Sequence, residues 1–120
     1  MYGLKKDIDL SFLSGRELIQ VAIGLYQTLF RFDDDLAISV EGEFIYFDGQ
    51  SQWIWSYGQN LASTAARTVG LLGATIESFE TNANGTLALS FSNGQRLTIL
   101  DSSKEFESYG ITWPGHTLVV

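Results

Sequence analysis

The sequence predicts a mainly β fold: two related antiparallel meanders form a curled sheet or a barrel-like sandwich, with one short connecting helix. The first observation is an internal repeat, in which residues 15–21 align with residues 73–79 and residues 28–32 with residues 87–91. The second is a polar turn after each copy, and the third is an alternating apolar run after each turn. An α+β fold is the alternative if the helix packs as a separate layer.

The first repeat, about residues 13–57, contains five predicted strands. Ile19, Val21 and Ile23 alternate with their neighbours, which is typical of a strand with one buried face. Aspartate tolerates tight turns, so residues 33–35 predict a turn, and Asp48-Gly49 between apolar runs predicts a hairpin. The predicted strands are residues 16–23, 26–32, 36–40, 43–47 and 52–57.

The apolar pattern changes to a helical one at about residues 60–72. Leu61, Ala65, Val69 and Leu72 follow one another at spacings of four, four and three, which predicts a buried stripe on one helix. Asn60 is suited to cap the amino end, and Gly70 or Gly73 to end the helix. This segment therefore connects the two repeats.

The second repeat, about residues 73–120, returns to strand patterns. Asn93-Gly94 is a strong hairpin signal, and Pro114-Gly115 predicts a further turn. The predicted strands are residues 74–80, 86–91, 96–100, 105–112 and 117–120. Because no linker or low-complexity tract interrupts the pattern, we expect residues 1–120 to form a single domain.

Several short patterns resemble a family of small uncharacterised bacterial proteins. The first is the Leu71-Leu72-Gly73 helix end, and the second is G-x-L-x-L-x-F-x-[DN]-G-x-x-L, matched by residues 85–97. The third is the closing [FY]-E-x-[WY]-x-I-x-x-P-G, matched by residues 106–115. The resemblance implies two β-meander repeats. It brings no activity and no catalytic residues with it.

Composition excludes several classes of function. The chain has no cysteine, which removes disulfides and thiolate chemistry and fits a cytoplasmic protein. Its net charge of −7 disfavours nucleic acid and anionic membranes as partners. No stretch is long and apolar enough for a membrane helix, and we expect no signal peptide. No cofactor or metal motif is present in the sequence.

An aromatic hairpin is the best candidate binding site. Trp53, Trp55 and Tyr57 share one face of a predicted strand, and Ile54 lies on the other. Both faces are apolar, so both require cover. The cover is either the core with the helix, or a second subunit or another protein.

Charged residues supply weaker candidates. Asp33, Asp34 and Asp35 predict a solvated turn that can also contact a basic partner. They lack the alternating ligand spacing of a calcium loop. The single histidine, His116, has no partner motif that would make it catalytic. Two carboxylate pairs lie at residues 41 and 43 and at residues 105 and 107. Their spacing is expected for the exposed face of a strand and does not indicate catalysis.

Three classes of function remain at this stage. The first is a non-enzymatic interaction protein, for example an immunity-like neutraliser of a basic protein, or a homodimer. The second is a β domain that binds a small apolar ligand in an aromatic cavity. The third is a hydrolase, which has the least support because catalytic clusters are missing from the sequence.

Overall fold

A computed structural model of the chain describes residues 8–56, 61–101 and 108–120. Within these ranges, ten strands form two five-stranded antiparallel sheets, with one short helix between the fifth and sixth strands. The predicted mainly β fold is confirmed. In the described part of the chain the sheets stay separate and do not close into a barrel.

Each half of the chain contributes five strands and begins with a single 3-10 turn, Ser11–Leu13 or Val69–Leu71. The helix, α1, spans Leu61–Thr68 and leads directly into the second of these turns. The first five strands are β1 (Leu18–Ile23), β2 (Thr28–Phe32), β3 (Ala37–Val40), β4 (Phe44–Phe47) and β5 (Gln52–Trp55). The second five are β6 (Ile76–Thr81), β7 (Leu87–Phe91), β8 (Arg96–Ile99), β9 (Tyr109–Trp113) and β10 (His116–Val119).

The two halves exchange strands. The first sheet has the order β1-β2-β3-β9-β10, and the second has the order β5-β4-β8-β7-β6. Each half therefore builds three strands of one sheet and adds its last two strands to the other. The exchange joins β3 to β9 and β8 to β4 in antiparallel pairs. Neither sheet is complete without both halves.

Matching hydrogen bonds tie the two halves where they cross. Gly15 N donates to Ile76 O over 2.7 Å, and Gly73 N donates to Leu18 O over 2.9 Å. The two glycines have φ values of +84° and +87°, which residues with a Cβ rarely adopt. β1 and β6 also carry a bulge at the same place, just after Leu18 and Ile76. The halves are thus related element by element.

One hydrophobic core lies between the sheets. Phe30 of the first sheet meets Phe44 of the second edge to face, with ring centroids 5.3 Å apart. Phe44 in turn contacts Trp55, at 5.4 Å between centroids. Helix α1 packs against β1 and β5 and covers the core along those two edges. The inward faces of the strands are therefore buried within the chain itself.

The predicted buried stripe of the helix is wrong at two positions. Val69 is 52% exposed and Leu72 46% exposed, whereas Thr68 and Leu71 are fully buried. The backbone tightens to a 3-10 turn at Val69, and three residues per turn rather than 3.6 shift the buried face along the sequence. Ala65 is partly buried as expected, and the predicted cap Asn60 lies outside the described residues.

Candidate functional site

The β4–β5 hairpin presents its two tryptophans inward. Trp55 is completely buried, because Phe44 and the core enclose it, and its ring is closed to any partner. Trp53 packs against the core and is partly exposed, with the Arg67 guanidinium of α1 lying 4.3 Å from its ring centroid. Tyr57, the third aromatic of the predicted interface, lies outside the described residues. The tryptophan face thus packs mainly on its own core and helix.

The outward face of the same hairpin is also apolar. Ile45 pairs with Ile54 across β4 and β5, and Phe47 lies two residues further along β4. Ile54 is 56% exposed, and Ile45 and Phe47 are partly exposed. We call Ile45, Phe47 and Ile54 the outer patch. Ile54 is the most exposed of the three, whereas Trp55 on the other face is completely buried.

The corresponding positions in the first sheet show that the fold does not require this patch. Strand pairing places Gly110 where Ile45 lies, Thr112 where Phe47 lies and Val119 where Ile54 lies. A glycine and a threonine serve the same strand geometry at two of these positions, whereas Val119 is apolar and 37% exposed. The apolar side chains of Ile45 and Phe47 therefore need another explanation than β structure alone.

A charged pair lies beside the outer patch on the same face. Arg96 of β8 pairs with Phe47 in the sheet, and its guanidinium lies 3.4 Å from a carboxylate oxygen of Glu80 on β6. Both side chains are exposed, so the pair contributes little to folding stability. Arg96 and Glu80 thus place one positive and one negative charge on this face of a chain whose net charge is −7.

A second set of exposed apolar side chains lies where β1 meets the second 3-10 turn. Ile19, Val69 and Leu72 are each about half exposed or more. Val69 and Leu72 were predicted to be buried because they continue the spacing of the helical stripe. The positions that correspond in the other half hold Glu77, Ser11 and Ser14. Both halves therefore contribute to this set, the first half through Ile19 and the second through Val69 and Leu72.

The three aspartates form a tight turn between β2 and β3. Asp34 and Asp35 have φ values of +54° and +59°, a conformation that aspartate tolerates. Asp34 pairs with the Arg16 guanidinium, and an Asp33 carboxylate oxygen accepts a hydrogen bond from Glu17 N at 3.1 Å. Asp34 and Asp35 are exposed, and Asp33 is partly exposed. The turn has a structural role, and its contact with a basic partner stays a prediction.

His116 begins β10 and is exposed. Its ring stacks on Trp113 at 5.2 Å, and Trp113 stacks in turn on Phe12 at 4.2 Å. This three-ring stack closes the β9–β10 hairpin over the first 3-10 turn. No group of three or more histidines and carboxylates that could hold a metal ion occurs among the described residues. Residues 105 and 107 lie outside that part of the chain.

Two buried tyrosines donate hydrogen bonds from the core to turns of the second sheet. Burial raises the pKa of Tyr109 well above its ordinary value, and its hydroxyl donates to Gly85 O at 2.7 Å. Burial also raises the pKa of Tyr46, with the Asp48 charge acting in the same direction. The Tyr46 hydroxyl donates to Gln95 Oε1 at 2.6 Å. Both phenols are neutral hydrogen-bond donors that fasten the sheets to their turns.

The fold and the site define an antiparallel two-sheet β domain with an exposed apolar hairpin face. The chain belongs to the family of unknown function DUF6188, whose profile matches residues 10–120. No curated protein and no solved structure matches the chain. Within the described ranges, no helix has the length and apolar character to cross a bilayer.

Proposed function

We propose that this chain is a non-enzymatic protein-interaction domain that uses the outer patch of the β4–β5 hairpin. The observation that carries the proposal is the exposure of Ile45, Phe47 and Ile54, at positions where the other half holds Gly110, Thr112 and Val119. Exposed apolar groups that folding does not require are typical of association surfaces.

The interior supports an interaction protein over an apolar ligand binder. Large aromatic side chains are buried between the sheets, including Phe30, Phe44, Trp55 and Tyr109. A ligand of this class would need a cavity lined by such groups. The aromatic rings contact one another instead, as the Phe30–Phe44–Trp55 series does.

The acidic surplus favours a basic partner, as in an immunity-like neutraliser. With fourteen acidic and seven basic side chains, the chain attracts a cationic protein over long range and accelerates the encounter. The exposed Asp34 and Asp35 turn and the partly exposed Trp53 are further contacts in this proposal. The absence of cysteine fits a role in the bacterial cytoplasm.

The test is affinity capture with three baits: the wild type, an Ile54→Thr/Phe47→Thr variant, and a Val119→Thr control. The control makes a polar substitution at the position that corresponds to Ile54 on the other sheet. We expect the wild type and the control to retain the same partner, and the patch variant to lose it while keeping its circular dichroism spectrum. Equal capture by all three folded baits would rule out the outer patch.

A further inference from the structure

We propose that the occupant of the outer patch is a second copy of this chain, packed face to face about a twofold axis. The inference rests on the proposed function and names the partner for that same surface. Homodimers with a twofold axis are the commonest oligomers, and their surfaces must be complementary to themselves. The outward face of the second sheet offers both apolar groups and a pair of opposite charges for such a contact.

The outward residues of the second sheet form two rows across its strands. Strand pairing gives one row of Ile54, Ile45, Thr98, Ala88 and Glu80. The other row is Gln52, Phe47, Arg96, Ser90 and Ser78. Each row has its large apolar residues at the β4–β5 side and smaller residues at β7. The face therefore carries large apolar side chains at its β4–β5 end and small side chains at β7.

A twofold axis that lies between these rows, in the plane of the interface, brings each row against the other row of the second copy. Ile45 then lies opposite Phe47 of the second copy, twice over, and the apolar groups cover one another. Glu80 of the second copy then lies over Ser78, in the same row as Arg96 and two strands away from it. The contact gains two cross pairs of opposite charge.

Charge balance also selects this face for self-association. Two chains of net charge −7 repel each other, and only a locally neutral contact limits that cost. The acidic turn at residues 33–35 joins β2 and β3 of the first sheet, whereas the outer patch lies on the second sheet.

The first experiment measures mass by light scattering over a concentration series. We expect a dimer for the wild type and for a Val119→Lys control. In an Ile54→Lys variant we expect the dissociation constant to rise roughly tenfold or more, since the change replaces an apolar side chain beside the Ile45–Phe47 contact with a charged one. A wild type that stays monomeric at about 100 μM, or an Ile54→Lys variant that stays as tightly dimeric as the control, would overturn the proposal.

The second experiment separates cross pairs from the pair within one chain. An Arg96→Glu variant carries two acidic groups at this site, and a Glu80→Arg variant carries two basic groups. Each alone should dimerise several-fold more weakly than the wild type, because like charges meet across the axis. Mixing the two variants should restore dimers, since every cross pair is then attractive. Equal dimer dissociation constants in the mixture and in the single variants would overturn the proposed twofold axis.

The failure of this inference and that of the proposed function give different results. A monomeric wild type whose captured partner is lost in the Ile54→Thr/Phe47→Thr variant overturns the dimer and keeps the interaction role. A dimer that is insensitive to the outer patch overturns the second copy as its occupant. A patch variant that captures as the wild type does overturns the proposed function itself.

Discussion

Leu71 and Leu72 are neighbours in the sequence but lie in opposite environments. Leu71 is fully buried in the core, and Leu72 is nearly half exposed beside Gly73. In the other half the corresponding residues are the buried Leu13 and the exposed Ser14. The 3-10 turn thus inserts one leucine into the core and turns the next residue to the solvent, regardless of its polarity.

We expect Leu71→Ala to lower the free energy of unfolding by about 2–5 kcal/mol, because it removes buried methyl groups and leaves a cavity. The matched control, Leu72→Ala, should lower it by less than about 1 kcal/mol, since its side chain already meets water. Urea denaturation of the two variants measures both values. Similar losses in the two would contradict the placement of this turn.

At the scale of elements, β9 is fastened to the turn between β6 and β7. The Tyr109 hydroxyl reaches across the core to the carbonyl of Gly85, which has a φ of +91° and lies against the Asp101 side chain. The corresponding strand, β4, begins with Phe44, which has no hydroxyl. The hydrogen bond is therefore a feature of one half only, added to a ring position that both halves share.

Tyr109→Phe should lower the free energy of unfolding by about 1–3 kcal/mol, because it leaves a buried carbonyl without its donor. The pH dependence should change as well. Since burial raises the pKa of Tyr109 above its ordinary value of 10.0, its contribution is complete below pH 10 and declines as the pH rises further.

The loss of stability between pH 10 and pH 11 should therefore be smaller in the Tyr109→Phe variant than in the wild type. Tyr46, whose pKa is also raised, remains in both proteins, so the difference isolates Tyr109. Chemical denaturation at several pH values measures it. Parallel stability curves for the two proteins would show that the buried phenol does not carry this pH dependence.

At the scale of the whole molecule, strand exchange makes the halves depend on each other. β9 and β10 complete a sheet begun by β1, β2 and β3, and the second sheet is completed in the same way by β4 and β5. Because all the inward faces meet in one core, neither half can bury its apolar residues alone. A repeat in sequence is here not a repeat of independent units.

We therefore expect one cooperative unfolding transition for the chain. The tryptophans report on different halves: Trp53 and Trp55 on the first and Trp113 on the second. We propose two variants, one that keeps only Trp113 and one that keeps only Trp55. In each variant the unfolding midpoint measured by tryptophan fluorescence should equal the midpoint measured by far-ultraviolet circular dichroism. Two separate midpoints in either variant would show that the halves unfold independently.

The positions of the strands along the chain were predictable because they depend on local patterns. Alternating apolar residues and polar turns located ten strands within a few positions, and the aspartate turn and the Asn93-Gly94 turn lie where expected. The helix stripe was not predictable past Thr68, since a change from 3.6 to three residues per turn leaves little mark in the sequence. The sequence showed that the β4–β5 hairpin is apolar on both faces, but the predicted binding residues were taken from the tryptophan face and not from the outward face.

The sequence by itself determined the β class, the repeat, the helix between the halves and the acidic, cysteine-free composition, because these follow from side-chain chemistry and short spacings. Only the tertiary structure decided which strands pair across the halves, since that depends on contacts between residues far apart in the chain. The same contacts turned Trp55 into the core and left Ile54 in the solvent. Alternation makes two faces, and only the packing of the sheets determines which of them is inside.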